Sequence, residues 1–104
     1  MLGNIIEIID NNVIIKLTID ITNQPNLVSL HVVFEDGDNR VVGEVAQVTQ
    51  TKMVANILGE IKNGFFTPGS AIKPSFKSKV RLVKIDELAT ILGDQETKFG
   101  QTNF

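Results

Sequence analysis

Cysteine, tryptophan and tyrosine are absent from this chain of 104 residues, and histidine occurs only once. Without cysteine there are no disulfides, no thiolate metal ligands and no cysteine nucleophile. One histidine alone cannot complete a zinc site of nitrogen and sulfur ligands. The lack of cysteine also suits a reducing compartment, so we expect a cytoplasmic protein.

Long apolar runs are missing as well. No segment approaches the roughly 20 consecutive apolar residues that a membrane helix needs. The N-terminal residues Met1 to Asn4 do not form a basic segment followed by an apolar stretch, so we expect no secretory signal. With 42% hydrophobic and 21% charged residues, the composition is that of an ordinary globular protein. The length allows one domain with one modest core.

The two halves of the chain carry opposite charge. Residues 1–51 have two basic and seven acidic side chains, a sum of −5, whereas residues 52–104 have eight basic and five acidic ones, a sum of +3. Such an asymmetry indicates either a polar interface between copies or a basic surface for an anionic partner. A chance distribution of solvating charges would give the same pattern.

Alternating apolar and polar residues dominate the first 85 positions, as in strands with one buried face. The clearest case runs from Val13 to Ile21. Asn63-Gly64 is a strong hairpin signal, and the polar segments 10–12 and 35–39 also predict hairpin turns. We therefore predict an all-β fold, a small closed barrel of six or seven strands, with a β-sandwich as the weaker alternative. The predicted strands cover residues 5–9, 13–19, 27–34, 40–51, 52–61, 70–72 and 79–85, and residues 65–66 resume the chain after the Asn63-Gly64 turn.

After the last predicted strand, the apolar residues no longer alternate but follow the spacing of a helix. Leu88, Ile91 and Leu92 form an apolar stripe with helical spacing, Asp86 is a suitable N-cap and Gly93 a suitable C-cap. The predicted organisation is thus a barrel over residues 1–85, a short helix over 86–93, and a tail or linker over 94–104.

Four glycines are predicted to have structural roles. The apolar phase of residues 40–51 is irregular, and Gly43 in its middle predicts a bulge or bend. Gly64 completes the Asn-Gly turn, and Gly69 follows Pro68 in a second turn. Gly59 lies inside a predicted strand.

No motif for catalysis or cofactor binding occurs in the sequence. The eight glycines form neither a G-x-x-x-x-G-K-[ST] phosphate loop nor a G-x-G-x-x-G turn. His31 falls on the outer face of its strand, where a surface role is the expected one. Asp36 and Asp38 flank Gly37 but lack the remaining ligands of a calcium loop. We predict no catalytic, cofactor-binding or metal-binding residue, and hence no enzyme activity in this chain.

One basic segment stands out near the end of the predicted barrel. Five basic side chains occur within twelve residues, without an acidic one between them. Together with Phe76, they are candidate contacts for nucleic acid or for an acidic partner surface. The alternative is a solvated edge strand whose lysines prevent aberrant pairing. The five residues are Lys73, Lys77, Lys79, Arg81 and Lys84.

The order of glycine, proline and valine from Gly43 onward resembles a known family. The segment 42–48 contains Gly43-Glu44-Val45, a "G-x-V" strand. The segment 59–72 has the order Gly59, Gly64, Pro68-Gly69, and it is followed by Pro74 and a final strand from Val80. This arrangement resembles the HAS-barrel, the N-terminal domain of HerA-like ATPases in the FtsK/HerA superfamily. It is similar in turn to the barrel that begins the F1 ATP synthase α and β subunits.

The resemblance implies a function at the level of a larger protein. HerA-like ATPases are hexameric DNA-translocating motors that act with nucleases in DNA repair or phage defence. Their barrel is an assembly and partner-docking collar, and ATP and magnesium bind to a separate ATPase domain. The implied partners of this chain are therefore copies of itself in a ring and a nuclease or other effector, with little affinity for DNA. The alternative is a free-standing OB-like or SH3-like barrel that binds nucleic acid or a protein ligand.

Overall fold

The computed structural model describes residues 2–19, 30–69 and 72–92. Within these ranges it contains seven strands, followed by a helix, α1, over residues 85–92. The predicted all-β class and the short C-terminal helix are confirmed. The predicted tail 94–104 and the C-cap Gly93 lie outside the described residues, as does most of the predicted strand 70–72. The strands are β1 (Gly3–Ile9), β2 (Asn12–Leu17), β3 (His31–Asp36), β4 (Asn39–Val48), β5 (Lys52–Lys62), β6 (Phe65–Pro68) and β7 (Lys79–Leu82).

All seven strands belong to one antiparallel sheet. The order is β1-β2-β5-β4-β3-β7, and β6 pairs with the second half of β5. The sheet curls until its two end strands meet, where the Leu2 N–H donates to the Val80 carbonyl oxygen at 2.7 Å. The fold is therefore barrel-like, and within the described residues this hydrogen bond joins Leu2, the residue before β1, to β7.

The sheet has three register shifts, one between β1 and β2 and two between β4 and β5. Val42 pairs with Gly59 while Gly43 pairs with Ile57, so that one extra residue of β5 is inserted there. A second register shift follows between Val45 and Gln47. A bulge bends the strand and reverses which residues face inward. The second shift has its extra residue on β4, which explains the irregular apolar phase of residues 40–51. The first shift lies beside Gly43, where a bulge or bend was predicted, but its extra residue is on β5.

The main core fills the inside of the curled sheet. Alternate residues of each strand point inward, and most of them are β-branched, as expected on a pleated buried surface. Phe34 is the largest side chain that is almost completely enclosed. The buried members are Leu2, Ile5, Val13, Ile15, Leu17, Val32, Phe34, Val41, Val45, Met53, Ala55, Ile57 and Val80.

A second apolar cluster lies on the outer face of the sheet, beneath α1. Val42, Ile61 and Ile91 are buried there, and Leu58, Phe66 and Val83 pack around them. Val41 faces the main core and its neighbour Val42 faces the helix, as consecutive residues of a strand do. The extra residue of β5 at the first bulge is what turns Ile61 to the outer face, although Ile57 faces the main core. The helix therefore covers the part of β4 and β5 that would otherwise expose valine and isoleucine to water. We call this group the outer cluster.

The start of α1 differs from the prediction. The Lys84 carbonyl oxygen accepts the first intrahelical hydrogen bond from the Leu88 N–H at 2.8 Å, so Lys84, not Asp86, is the N-cap residue. Lysine has no side-chain acceptor for a free helical N–H. Instead, the Glu87 carboxylate accepts from the Lys84 N–H at 3.0 Å, which is half of a capping box. The prediction of Asp86 as N-cap was wrong because a contact outside the helix positions Glu87.

The predicted hairpin turns are present. Asp10 and Asn63 adopt positive φ angles of 56° and 54°. Gly64 follows at 80°, so Asn63-Gly64 forms the connection between β5 and β6. Gly69 has a φ of 137°, a conformation that side chains rarely adopt, in the predicted turn after Pro68.

Candidate partner-docking surface

The five basic residues of the predicted contact segment do not form one surface. Lys73, Lys77, Lys79 and Lys84 are exposed to solvent. Arg81 is different, because only 19% of its side chain is exposed and its guanidinium group is held between two carboxylates. Lys79 and Arg81 do share one face of β7, as predicted. The segment thus splits into four solvated lysines and one structural arginine.

The Arg81–Glu87 pair connects β7 to α1. Arg81 Nη1 donates to Glu87 Oε1 and Nη2 donates to Glu87 Oε2, both at 2.7 Å. Two parallel hydrogen bonds of this length are the strongest arrangement of an arginine and a carboxylate. The Glu87 side chain is only 5% exposed, so the pair is largely shielded from water. The pair therefore fastens the first turn of the helix to the outer face of the sheet.

Two further charged side chains surround this pair. Arg81 Nε donates to Glu35 Oε1 at 3.3 Å, and Arg40 Nη1 donates to Glu87 Oε2 at 3.2 Å. Glu35 and Arg40 are themselves neighbours across β3 and β4. Two carboxylates and two guanidinium groups thus balance one another beside the outer cluster.

The hydrogen bonds in this network shift the pKa values of Glu35, Glu87 and Arg81. The hydrogen bonds from Arg81 lower the pKa of Glu87 from 4.5 to about 2, against the opposing effect of burial. The backbone N–H of Lys84 and the Arg40 side chain contribute to the same lowering. Arg81 also lowers the pKa of Glu35, and Glu87 in turn raises the pKa of Arg81. Glu35, Glu87 and Arg81 are therefore charged at neutral pH.

The stability of the fold should fall in acid because of Glu87. A carboxyl group whose pKa is depressed by folding stabilises the folded state above its unfolded pKa. That contribution is lost as the pH falls from 4.5 towards the folded value of about 2. We expect the free energy of unfolding, measured with urea, to fall by roughly 3 kcal/mol across this window. Glu87→Gln, which cannot titrate at this position, should remove most of the change, and an equally steep fall in that variant would contradict the assignment.

Lys77 and Lys79 lie next to acidic side chains. They line a shallow depression together with Glu35, Asp36 and Gly37, and Lys79 pairs with Glu35 across the strands. Carboxylates this close offset part of the positive potential that a polyanion would meet. The basic segment is thus a mixed surface, although Phe76 between its lysines is 58% exposed.

Three exposed apolar side chains lie near the point where the chain passes from β7 into α1. Ile85, the first helical residue, is 88% exposed, and Leu82 and Leu30 are 41% and 39% exposed. Val32 pairs with Leu82, and the Val83 N–H donates to the His31 carbonyl oxygen, so the register places Leu30 opposite Lys84. The three apolar side chains therefore lie at the same end of the sheet. We call Leu30, Leu82 and Ile85 the exit patch.

The remaining residues singled out from the sequence have structural surroundings. His31 is half-buried and lines a groove with Glu44, Leu58, Phe66 and the end of α1. Gly59 lies so close to the backbone of β6 that a Cβ atom would meet the Thr67 carbonyl oxygen and Pro68 Cα. In the part of the chain that the structure describes, no three histidine or acidic side chains are grouped to hold a metal ion.

Sequence reasoning missed Glu35, Arg40 and Glu87 as a group. Glu87 lies three residues after the N-cap, which is the capping-box position, and this is the only local signal. The contacts to Arg81 and Arg40 join residues from β3, β4, β7 and α1, and no periodic pattern connects these positions.

No helix in the described ranges has the length and apolar character to span a membrane. No model of a known protein family matches the chain, and no curated protein matches it by sequence.

Proposed function

We propose that this chain is a non-catalytic assembly and partner-docking barrel, the N-terminal HAS-barrel of a hexameric, DNA-translocating HerA-like ATPase. The proposal begins with the resemblance carried by Gly43, Gly59, Gly64, Pro68-Gly69 and Pro74. Under it, ATP and magnesium bind to another domain of the parent protein, which works in the cytoplasm on DNA repair or phage defence.

The observation that carries the proposal is the exit patch. Leu30, Leu82 and Ile85 expose apolar surface where the chain leaves the barrel. Clustered exposed apolar side chains are typical of surfaces that another protein or domain covers. In the proposed parent protein this is the place at which the ATPase domain follows.

The Arg81–Glu87 pair supports the same proposal. In an assembly collar, the barrel has to keep a fixed orientation relative to the ATPase domain that follows it. A flexible connection between the two would not keep that orientation. The bidentate pair and the outer cluster hold α1 against the sheet, so that Ile85 keeps a fixed orientation relative to β7.

The proposal predicts a measurable defect in ring assembly. We expect the natural gene to encode a G-x-x-x-x-G-K-[ST] phosphate loop downstream of this segment. In that full-length protein, Ile85→Asp and Leu82→Asp should each lower the hexamer fraction in sedimentation velocity at least several-fold, because a charge would be buried in the contact. Phe76→Asp, which alters an equally apolar side chain away from the patch, is the matched control.

Two results would contradict the proposal. One is a gene without a phosphate loop after this segment. The other is a full-length hexamer that is equally stable with Asp at position 85 and with Asp at position 76.

The second candidate is a free-standing barrel that binds nucleic acid. Its supporting observation is the exposure of Lys73, Lys77, Lys79 and Lys84 around the exposed Phe76. Cationic side chains with an aromatic ring between them are the usual elements of a single-strand-binding surface. The neighbouring carboxylates of Glu35 and Asp36 oppose this function, and for that reason it ranks second.

A further inference from the structure

A pocket opens at the end of the barrel opposite the exit patch. The segment before β7 crosses this end, and Lys73, Pro74 and Ser75 form one wall. The opposite wall consists of inward-facing residues at the ends of β3, β4 and β5. The volume is about 280 Å³, just below the roughly 300–1,000 Å³ of pockets for drug-sized ligands. A ligand that fills this mouth pocket must therefore be small.

The strand register shows how the floor of the mouth pocket is built. Glu60 pairs with Val41, Val41 lies beside Phe34, and Phe34 pairs with Val80, which gives one row across β5, β4, β3 and β7. Val41 and Phe34 are almost completely buried. The floor is thus apolar, with a single carboxylate at its β5 end.

A second row lies directly above the floor and is polar throughout. Asp36 pairs with Asn39. Extending the neighbouring pairs Arg40–Ile61 and Glu35–Lys79 by one residue places Lys62 beside Asn39 and Ser78 beside Asp36. Side chains of neighbouring strands on one face are about 5 Å apart. The row Lys62, Asn39, Asp36 and Ser78 therefore presents an ammonium, an amide, a carboxylate and a hydroxyl group side by side.

Ser78 provides the second observation. Its residue surface is 4% exposed, and its Oγ atom is buried without a hydrogen-bond partner. Its backbone N–H donates to the Ser75 carbonyl oxygen at 3.0 Å. Leaving a buried hydroxyl unpaired costs about 1–3 kcal/mol, and such groups in folded proteins usually have a ligand or water. Ser78 lines the mouth pocket, and because its Oγ atom is buried, the side chain has to rotate about χ1 for the hydroxyl to meet a ligand there.

The charges of the lining define the chemical class of the ligand. Lys62 and Lys73 supply two ammonium groups, and Asp36 and Glu60 supply two carboxylates. A purely anionic ligand would meet both carboxylates and a purely cationic one both lysines, which costs binding energy in either case. A molecule with one ammonium and one carboxylate a few ångströms apart matches both pairs.

We propose that the mouth pocket binds a small zwitterion of the size of a free α-amino acid. The ligand carboxylate lies towards Lys62 and Lys73, while the Ser78 hydroxyl oxygen, next to Asp36 in the row, accepts a hydrogen bond from the ligand ammonium. The ammonium lies towards Asp36 and Glu60, and a small side chain rests on Phe34 and Val41. This inference is independent of the assembly role proposed above, because it uses the opposite end of the barrel.

The test is a titration of the ¹⁵N-labelled chain, followed by amide chemical shifts. The probes are glycine, L-alanine and L-serine, with acetate and ethylamine as half-ligands that each lack one of the two charges. We expect the zwitterions to shift the amides of Asp36, Asn39, Lys73 and Ser78 with Kd values on the order of 1 mM, and the half-ligands to bind at least about tenfold more weakly.

Three variants make the test specific. Ser78→Ala removes a hydroxyl that has no partner in the folded chain, so it should not lower the melting temperature, yet it should weaken zwitterion binding about five- to tenfold. Lys62→Gln should weaken binding similarly. Lys52→Gln, at the opposite end of the same strand, should leave binding unchanged and is the matched control.

Three results would overturn the inference. The first is the absence of any shift with all three zwitterions at about 50 mM, far above the expected Kd. The second is equal binding of zwitterions and half-ligands. The third is equal binding by wild type and Ser78→Ala, which would mean that the hydroxyl is satisfied by water alone.

Discussion

Replacing Arg81 by methionine should destabilise the protein by about 3 kcal/mol or more, because it leaves the buried Glu87 carboxylate without its main partner. Breaking a buried ion pair from one side costs about 3–5 kcal/mol, and 19% exposure of Arg81 places the expected value near the lower end. For a domain of this size, the melting temperature should fall by more than about 10 °C. Thermal and urea unfolding measure both quantities.

A double-mutant cycle separates the pair from its surroundings. Arg81→Met with Glu87→Leu removes both charges, and an apolar pair of similar volume next to the outer cluster should recover most of the lost stability. Glu35 and Arg40 still face each other across β3 and β4 in that variant. Lys79→Met, on the same face of β7 but exposed, should change stability by no more than about 0.5 kcal/mol. A loss below about 1 kcal/mol for Arg81→Met would show that the contact behaves as an ordinary surface ion pair.

Gly59→Ala is expected to separate β6 from β5. The added Cβ would meet the Thr67 carbonyl oxygen, and it would lie 2.8 Å from both Pro68 Cα and Phe66 Cζ. Backbone atoms cannot move aside as a flexible side chain can, so we expect a loss of about 2–3 kcal/mol. The amides of β6 should also lose protection against hydrogen exchange.

Gly37→Ala is the matched control for this prediction. Gly37 has a φ of 60° and no atoms within 4 Å of a new Cβ, so only backbone strain of about 1–2 kcal/mol is expected there. Protection of β6 should remain intact in that variant. If Gly59→Ala retains the hydrogen-exchange protection of β6 and the wild-type melting temperature, then β6 does not lie as close to Gly59 as described here.

The strands and hairpins could be predicted from the sequence because their signals are local. Alternation from Val13 onward marks β2, and Asn63-Gly64 marks the turn between β5 and β6, each within a few residues. The bulge at Gly43 was also predictable, since a glycine interrupts an irregular apolar run. The extra residue on β5 that accompanies this bulge was not, because it depends on the pairing of two strands.

The surroundings of the charged residues could not be predicted in the same way. Arg81 and Lys79 have the same side-chain charge and the same strand face, yet one is paired in a shielded network and the other is exposed. The difference arises because α1 folds back over Arg81 and places Glu87 there. Because of the same contact, the N-cap of α1 is Lys84 and not the predicted Asp86. The polar row with Ser78 depends on register across four strands, which sequence spacing does not reveal.

Fluorescence anisotropy with labelled single-stranded and duplex DNA at about 150 mM salt distinguishes a protein-binding barrel from one that binds nucleic acid. We expect Kd values above about 10 µM for both DNAs, because the surface offers few phosphate contacts and Glu35 and Asp36 flank Lys77 and Lys79. Lys77→Glu with Lys79→Glu is the appropriate variant, since changing Arg81 would disturb the fold. Submicromolar binding that this double variant abolishes would contradict the account and make the nucleic-acid-binding barrel the leading function.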